Sequence, residues 1–403
     1  MKCAVVIPDG MADYPLDELG GRTPLEAADT PNMDRLAREG EAGLVRNVPV
    51  GMSPGSDVAI MSVLGYDPAR YHTGRAPLEA PAIGVRLEEG DVAFRMNLVT
   101  IIDGRMVDYS GGHIGDREAF ALVKALVETL GEKTFRFYPG VSYRHLAVTR
   151  DDELADTVTT PPHDITGQLV EEYLPRGVGA EKIIRVMKEA GRILEEHEVN
   201  SVRRDLGENP ANAVWLWGQG RRPEIPGFLE MYGARGAVIS AVSLLKSLAM
   251  YAGMDVLDVP GITGYYDTNY AGKGERAVEA LLSGEYDVVV VHVEAPDEAG
   301  HNGDVEAKVK AIEAVDREVL GRLLERCART DMRVYLAADH PTPISVRSHT
   351  AEPSPYAIWG GGAASAAAAA ARAKAEAFGE SACRASGIVQ ESGWQMMKRL
   401  LGE

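Results

Sequence analysis

Runs of apolar, β-branched residues with little polar alternation recur along the chain, and most end in Gly, Asp or His. KCAVVIPDG (2–10) is the first, and NAVWLWGQG (212–220), GAVISA (236–241), MDVLDVPG (254–261), YDVVVVHVEAPD (286–297) and MRVYLAADH (332–340) follow. Unalternating runs of this length are expected of strands covered on both faces. Between them lie segments with apolar residues at helical spacing. In TPNMDRLAREG (30–40), Thr30 reads as the N-cap, Pro31 as the first helical residue and Gly40 as the stop. SAVSLLKSLAMYAG (240–253) and DVEAKVKAIEAVDREVLGRLLERC (304–327) carry similar apolar faces. The alternation predicts an α/β fold with a mostly parallel sheet flanked by helices.

Residues 86–177 break this rhythm. VAFRMNLVTIIDGRMVDYS reads as a hairpin turning at Asp103-Gly104. REAFALVKALVETLG reads as a helix, and TFRFYPGVSYRHLAVTR as two further strands. Antiparallel pairing with one helix predicts a smaller α+β domain at 86–177, inserted into a core of 1–85 and 178–403. On this reading the core resumes at AEKIIRVMKEAGRILEEHEVNSVRR (180–204). The Ala-rich stretch GGGAASAAAAAARAKAEAFGE (360–380) favours helix but offers too small a face for a core, so a surface loop and helix without chemistry is expected. No internal repeat is present.

Composition narrows the function classes. The 403-residue chain is 45% hydrophobic and 25% charged, ordinary for a globular protein, and its net charge of −18 disfavours nucleic acid. Three scattered cysteines, Cys3, Cys327 and Cys383, argue for a reducing compartment rather than a disulfide framework. The apolar runs are too short to span a membrane, and the first strand begins at Lys2, so a cytoplasmic protein without a signal peptide is expected.

Chemistry concentrates at strand ends, where backbone turns expose side chains to the crevice at the carboxyl edge of a sheet. Asp9 ends the first strand. Asp297 and His301 follow the strand of 286–297, and their i, i+4 spacing puts both on one face of a helical turn. Asp339 and His340 end VYLAADH, and His349 follows in SVRSHT. Alone, each has an ordinary reading, such as a capping Asp or a surface His. Together, carboxylates and imidazoles suit Mn²⁺, Zn²⁺ or Mg²⁺. In GMSPGSDVAIMSVLG (51–65), Ser56 reads as a helix N-cap, and the same position suits a nucleophile that meets phosphate. No P-loop is present, and no GxGxxG follows the first strand.

These residues lie in segments that resemble a known family. DGMADYPLDELGGRTPLEAADTPNMDRLA, PGSDVA, LGYDP, GRAPLEA, PANAVWLWGQG, TGYYDTN, APDEAGH, DHPTP and SHT occur in order over nearly the whole chain. They are similar to the archaeal type of cofactor-independent phosphoglycerate mutases, within the alkaline phosphatase superfamily. The resemblance implies an alkaline-phosphatase-like core and two divalent metal ions, Mn²⁺ first, with Mg²⁺, Zn²⁺ or Co²⁺ as other candidates. It implies that Asp297, His301 and His349 hold one metal, and Asp9, Ser56, Asp339 and His340 the other. Ser56 would become a phosphoserine while phosphate moves between the two hydroxyls of glycerate, without bisphosphoglycerate. His113, Arg144 and Lys273 are the implied substrate contacts, with Arg75 and Asp164 as further candidates. The partner is thus a small phosphorylated metabolite. YHTGRAPLEA, VDYSGGHIG, PPHDITGQ and WLWGQG look closer to a bacterial subgroup proposed to be homoserine kinases. The alternatives are therefore phosphotransfer from ATP to homoserine, or a metal-dependent phosphatase.

Overall fold

The computed structural model describes residues 2–131, 134–326, 330–360 and 375–402. Cys327 and positions 361–374 of the Ala-rich stretch lie outside the described residues. The strands in chain order are β1 (Lys2–Pro8), β2 (Glu41–Val45), β3 (Val92–Ile102), β4 (Arg105–Asp108), β5 (Arg136–Val141), β6 (Arg144–Thr149), β7 (Ala213–Arg221), β8 (Gly236–Ile239), β9 (Asp255–Val256), β10 (Val288–Val293), β11 (Met332–Ala337), β12 (Ser354–Gly360) and β13 (Val389–Gln390). The chain forms two compact units. One comprises Met1–His72 with Ile225–Glu403, and the other Thr73–Glu224.

The first unit is built on an eight-stranded sheet in the order β13-β2-β12-β11-β1-β10-β8-β9. β11, β1, β10, β8 and β9 run parallel, whereas β12 is antiparallel to both β11 and β2. β10 is buried at every position, which is why VVVVHV shows no polar alternation. Ala4, Val6, Val289, Val291, Val334 and Leu336 form one side of a core that also takes Met33 and Leu36 from the helix Pro31–Glu39 and Ala277 and Leu281 from the helix Tyr270–Ser283. This is the expected fold class. Gly40 follows the Pro31–Glu39 helix as expected, but not as a left-handed stop, since its φ is −115°. A Cβ there would lie 2.2 Å from the carbonyl oxygen of Ile358, so close approach to β12 is what requires glycine.

The second unit holds an antiparallel sheet, β4-β3-β6-β5, with β7 on the other side of β3. The hairpin turns at Asp103-Gly104 as expected, both with positive φ. The unit is wider than the expected 86–177. NAVWLWGQG is not a parallel strand of the first unit: β7 pairs with β3 from Val92 to Val99. The helix Ala180–Glu195 likewise belongs here, burying Ile183, Ala190 and Leu194 beside Trp215 and Leu216. A run buried on both faces looks alike in a parallel or an antiparallel sheet, so periodicity alone could not place β7.

Candidate active site

β1, β10 and β11 are adjacent and parallel, so their carboxyl ends share one edge of the sheet. Asp9 leaves β1 there. Asp297 and His301 sit on the helix Ala295–Asn302, which begins two residues after β10 ends. Asp339 and His340 follow β11. Oxygen or nitrogen atoms of Asp9, Asp339 and His340 all lie within 4.8 Å of one another, and so do those of Asp297, His340 and His349. His301 joins the second group, with Nε2 3.2 Å from Asp297 Oδ2 and 2.9 Å from His349 Nε2. The i, i+4 reading of DEAGH therefore holds at atomic level.

Ser56 is the first residue of the helix Ser56–Val63, and Gly55, not Ser56, is the N-cap. Its hydroxyl is thus not spent on capping, and Oγ lies 3.2 Å from His340 Nε2.

The electrostatics carry the mark of a cation site. Asp339 Oδ1 accepts the backbone N–H groups of Gly10, at 3.1 Å, and His340, at 2.9 Å. Its Oδ2 is buried without a hydrogen-bond partner, and so is Oδ1 of Asp9. Buried carboxylate oxygens are rarely left unpaired. Burial, and then the charges of Asp339 and Asp297, hold the Asp9 carboxyl well above the usual range. Burial pushes Asp297 up too, but hydrogen bonds from His301 and His349 outweigh it and hold that carboxyl well below the usual range. The Asp297 hydrogen bond and charge raise His301 to about 9. Divalent cations would satisfy the orphaned oxygens and replace protons on the histidines. The donor set of carboxylates and imidazoles fits them.

Three residues around these carboxylates were missed by sequence reasoning. Thr342 donates to Asp297 Oδ1 and lies 3.3 Å from His340 Nδ1. It sits in the DHPTP segment and could have been found there. His292 is fully buried on β10 with Nε2 2.9 Å from Asp9 Oδ2. Its signal was a single polar residue within VVVVHV. Gly10 is the third, with φ +58°; a Cβ there would lie 2.5 Å from both Asp297 Oδ1 and Thr342 Oγ1.

The expected substrate contacts divide. Lys273 is sealed in the core, 1% exposed, and its ammonium donates to the carbonyl oxygen of His292 at 2.7 Å. Burial lowers it to about 8. It offers nothing to a substrate from that position. His113 and Arg144 are exposed in the second unit, where His113 has φ +51° and the Arg144 guanidinium lies 5.5 Å from the Tyr143 ring centre. Asp164 is exposed and pairs with His163 at 3.6 Å. The same unit holds a cationic cluster that sequence reasoning saw only in part. Arg95 lies 4.2 Å over the Trp217 ring and 2.9 Å from Glu79, which also takes Arg75 at 3.0 Å. Burial lowers Arg95 to about 10; Glu79 opposes this, while Arg75 and Arg144 add to it. The missed signal was an arginine in the middle of the apolar strand VAFRMNL.

Known proteins match this chain over its whole length. Residues 37–200 fit the family model for 2,3-bisphosphoglycerate-independent phosphoglycerate mutase. The protein of that name from Methanosarcina acetivorans is 53% identical over 361 residues, covering 89% of this chain and 90% of that protein. A probable mutase from Geobacter sulfurreducens is 46% identical over 406 residues, covering 100% of both chains. The structure of the cofactor-independent phosphoglycerate mutase from Thermoplasma acidophilum has a TM-score of 0.68 at 30% identity, covering 100% of both chains. A protein of known structure from Pyrococcus horikoshii reaches a TM-score of 0.81 at 31% identity over 99% of this chain and 97% of that one. With such identity over nine-tenths of its length, the chain belongs to the 2,3-bisphosphoglycerate-independent phosphoglycerate mutases.

Proposed function

We propose that this enzyme interconverts 3-phosphoglycerate and 2-phosphoglycerate by passing the phosphoryl group through Ser56. The observation that carries the reading is Ser56 Oγ, free of capping and 3.2 Å from His340 Nε2, beside two buried carboxylate oxygens without partners. Asp297, His301 and His349 would hold one divalent cation, and Asp9, Asp339, His340 and Ser56 a second. Such ions make a hydroxyl a better nucleophile and neutralise charge on a transferring phosphoryl group.

The rest falls to the chain's own groups. Ser56 Oγ loses its proton and attacks phosphorus. The bond from phosphorus to the glycerate oxygen breaks, and that oxygen takes up a proton. The neighbouring hydroxyl then gives up its proton and attacks the phosphoserine, which restores Ser56. The glycerate must be retained and turned between the two steps. Within the second unit, Arg75, Arg95 and Arg144 make a group suited to an anion, because a guanidinium offers two parallel donors. Glu79, with one charge against three, leaves the cluster net positive.

The test is ³¹P NMR of Mn²⁺-loaded protein with 3-phosphoglycerate, without ATP or bisphosphoglycerate. The expected result is a 2-phosphoglycerate resonance, absent in Ser56→Ala. Free phosphate alone would make the enzyme a hydrolase. No change in protein shown to carry metal would overturn the mutase reading in favour of transfer from ATP.

A further inference from the structure

Asp9 reaches its place on the sheet with help from behind. In the parallel pairing of β1 and β10, Ile7 lies opposite His292 and Pro8 opposite Val293, and the Asp9 N–H donates to the Val293 carbonyl at 2.9 Å. His292 Nε2 then lies 2.9 Å from Asp9 Oδ2. On the far side of the ring, Nδ1 lies 3.2 Å from Ser240 Oγ. Ser240 follows β8, which pairs with β10, and it is as completely buried as His292.

These contacts determine where the hydrogens sit. With a cation bound, Asp9 is ionised and a carboxylate only accepts, so His292 Nε2 then carries the hydrogen. A fully buried imidazole whose own carbonyl holds the Lys273 ammonium at 2.7 Å stays neutral. Its Nδ1 therefore accepts, and the Ser240 hydroxyl must donate to it. Ser240 Oγ meanwhile accepts the N–H of Val242 at 3.0 Å, which fixes its rotamer. The chain Ser240, His292, Asp9 thus runs in one direction, and each member is oriented by the one behind it. It ends at Asp9 Oδ2. Asp9 Oδ1 is left without a partner, 3.7 Å from His340 Nε2.

We propose that His292, backed by Ser240, is a positioning residue that ties up Oδ2 of Asp9 and presents Oδ1 alone to a bound cation. It acts through Asp9 and touches neither substrate nor metal. This rests on the assignment of Asp9 as a metal ligand. Partners behind a ligand raise its basicity and fix its orientation, and losing them costs about 10–100-fold in metal affinity or activity.

The experiment is a Mn²⁺ titration of the whole protein, followed by the electron paramagnetic resonance of free Mn²⁺. Asp9→Asn identifies the site to be watched. His292→Leu is expected to weaken that same site by about 10–100-fold. His292→Gln, whose amide N–H can stand where Nε2–H stood, should restore affinity to within about threefold. Ser240→Ala should weaken the site in the same direction by less. The melting temperature of the metal-free protein is recorded alongside. A variant that loses stability but keeps its Mn²⁺ affinity would make His292 a packing residue and overturn the proposal. So would a Gln variant that folds as wild type yet binds as poorly as Leu. If His292→Leu does not fold, Ser240→Ala decides, and unchanged affinity there overturns the proposal. If Asp9→Asn itself leaves both sites intact, the ligand assignment fails instead.

Discussion

Lys308 holds a fully buried ion pair whose loss should destabilise the first unit. It is fully buried on the helix Val305–Ala314. Its ammonium donates to Asp13 Oδ2 at 2.7 Å and to the Thr342 carbonyl at 2.8 Å. Asp13 in turn accepts the Ile344 N–H, 3.1 Å from each carboxylate oxygen, and the Tyr14 N–H at 2.8 Å. One ion pair thus ties the segment after Asp9 to the segment after His340. Lys308→Met keeps the aliphatic stem and removes the charge. At an effective dielectric of 20, the 2.7 Å contact has a gross attraction of about 6 kcal/mol. Desolvation offsets part of this in the intact pair, but not once a buried carboxylate is left without its cation, and such losses run to about 3–5 kcal/mol. For a unit of this size that is a fall in melting temperature of about 6–20 °C. The assay is calorimetry of the metal-free protein for Lys308→Met, Asp13→Asn and the double variant. A coupling of at least about 2 kcal/mol between the two sites is expected. A single variant within about 1 kcal/mol of wild type, or a coupling near zero, would refute the reasoning.

Other perturbations probe the site and the second unit. Asp297→Asn should reduce bound Mn²⁺ from two ions to one per chain by elemental analysis; two retained ions would sink the ligand assignment. Gly10→Ala forces a Cβ to within 2.5 Å of Asp297 Oδ1 at a φ of +58°, so it should cost about 1–3 kcal/mol in backbone strain and weaken Mn²⁺ binding, as an apo melting curve and a metal titration would show together. Arg95→Gln should raise KM at least about tenfold with kcat within about threefold, the signature of lost uniform binding; an equal fall in kcat and kcat/KM would place Arg95 in the transition state instead. Burial lowers His145 to about 4, so between pH 6.5 and 4 the unfolded state binds the extra proton and stability falls as pH falls, by up to about 3 kcal/mol. His145→Asn should flatten that slope in urea midpoints measured from pH 7 to 4, and an unchanged slope would assign it to other groups.

How much of this was legible in the sequence depended on whether a feature is local. The hairpin at Asp103-Gly104 and the contacting pair of Asp297 and His301 each lie within a few residues, where turn chemistry and helical spacing act directly. The strand ends carrying Asp9, Asp339 and His340 were legible because buried parallel strands leave unbroken apolar runs. What failed was long-range. Whether β7 joins the first sheet or the second depends on whether its partner is β3, some 120 residues earlier, and nothing in WLWGQG encodes that. Lys273 failed for a related reason. A lysine between glycines gives no sign of burial, but here Lys273 lies on the buried side of its helix, where the ammonium finds its acceptor on the His292 carbonyl of β10.

The residues that sequence reasoning missed share a physical character. His292 and Arg95 each interrupt an apolar strand, and Thr342, though close to Asp339 and His340 in sequence, stands between two prolines. Each acts on a group brought in by another segment: His292 on Asp9, Thr342 on Asp297, Arg95 on Glu79 and Trp217. An isolated polar residue in a run buried on both faces is costly unless it is paired. The existence of such a residue is therefore itself a signal, though the identity of its partner is not. His292 follows four valines in a strand buried at every position. A leucine there would pack as well and cost nothing in desolvation. What an imidazole adds at that place is a hydrogen bond with direction, and the group it directs is the buried carboxylate at the end of the next strand.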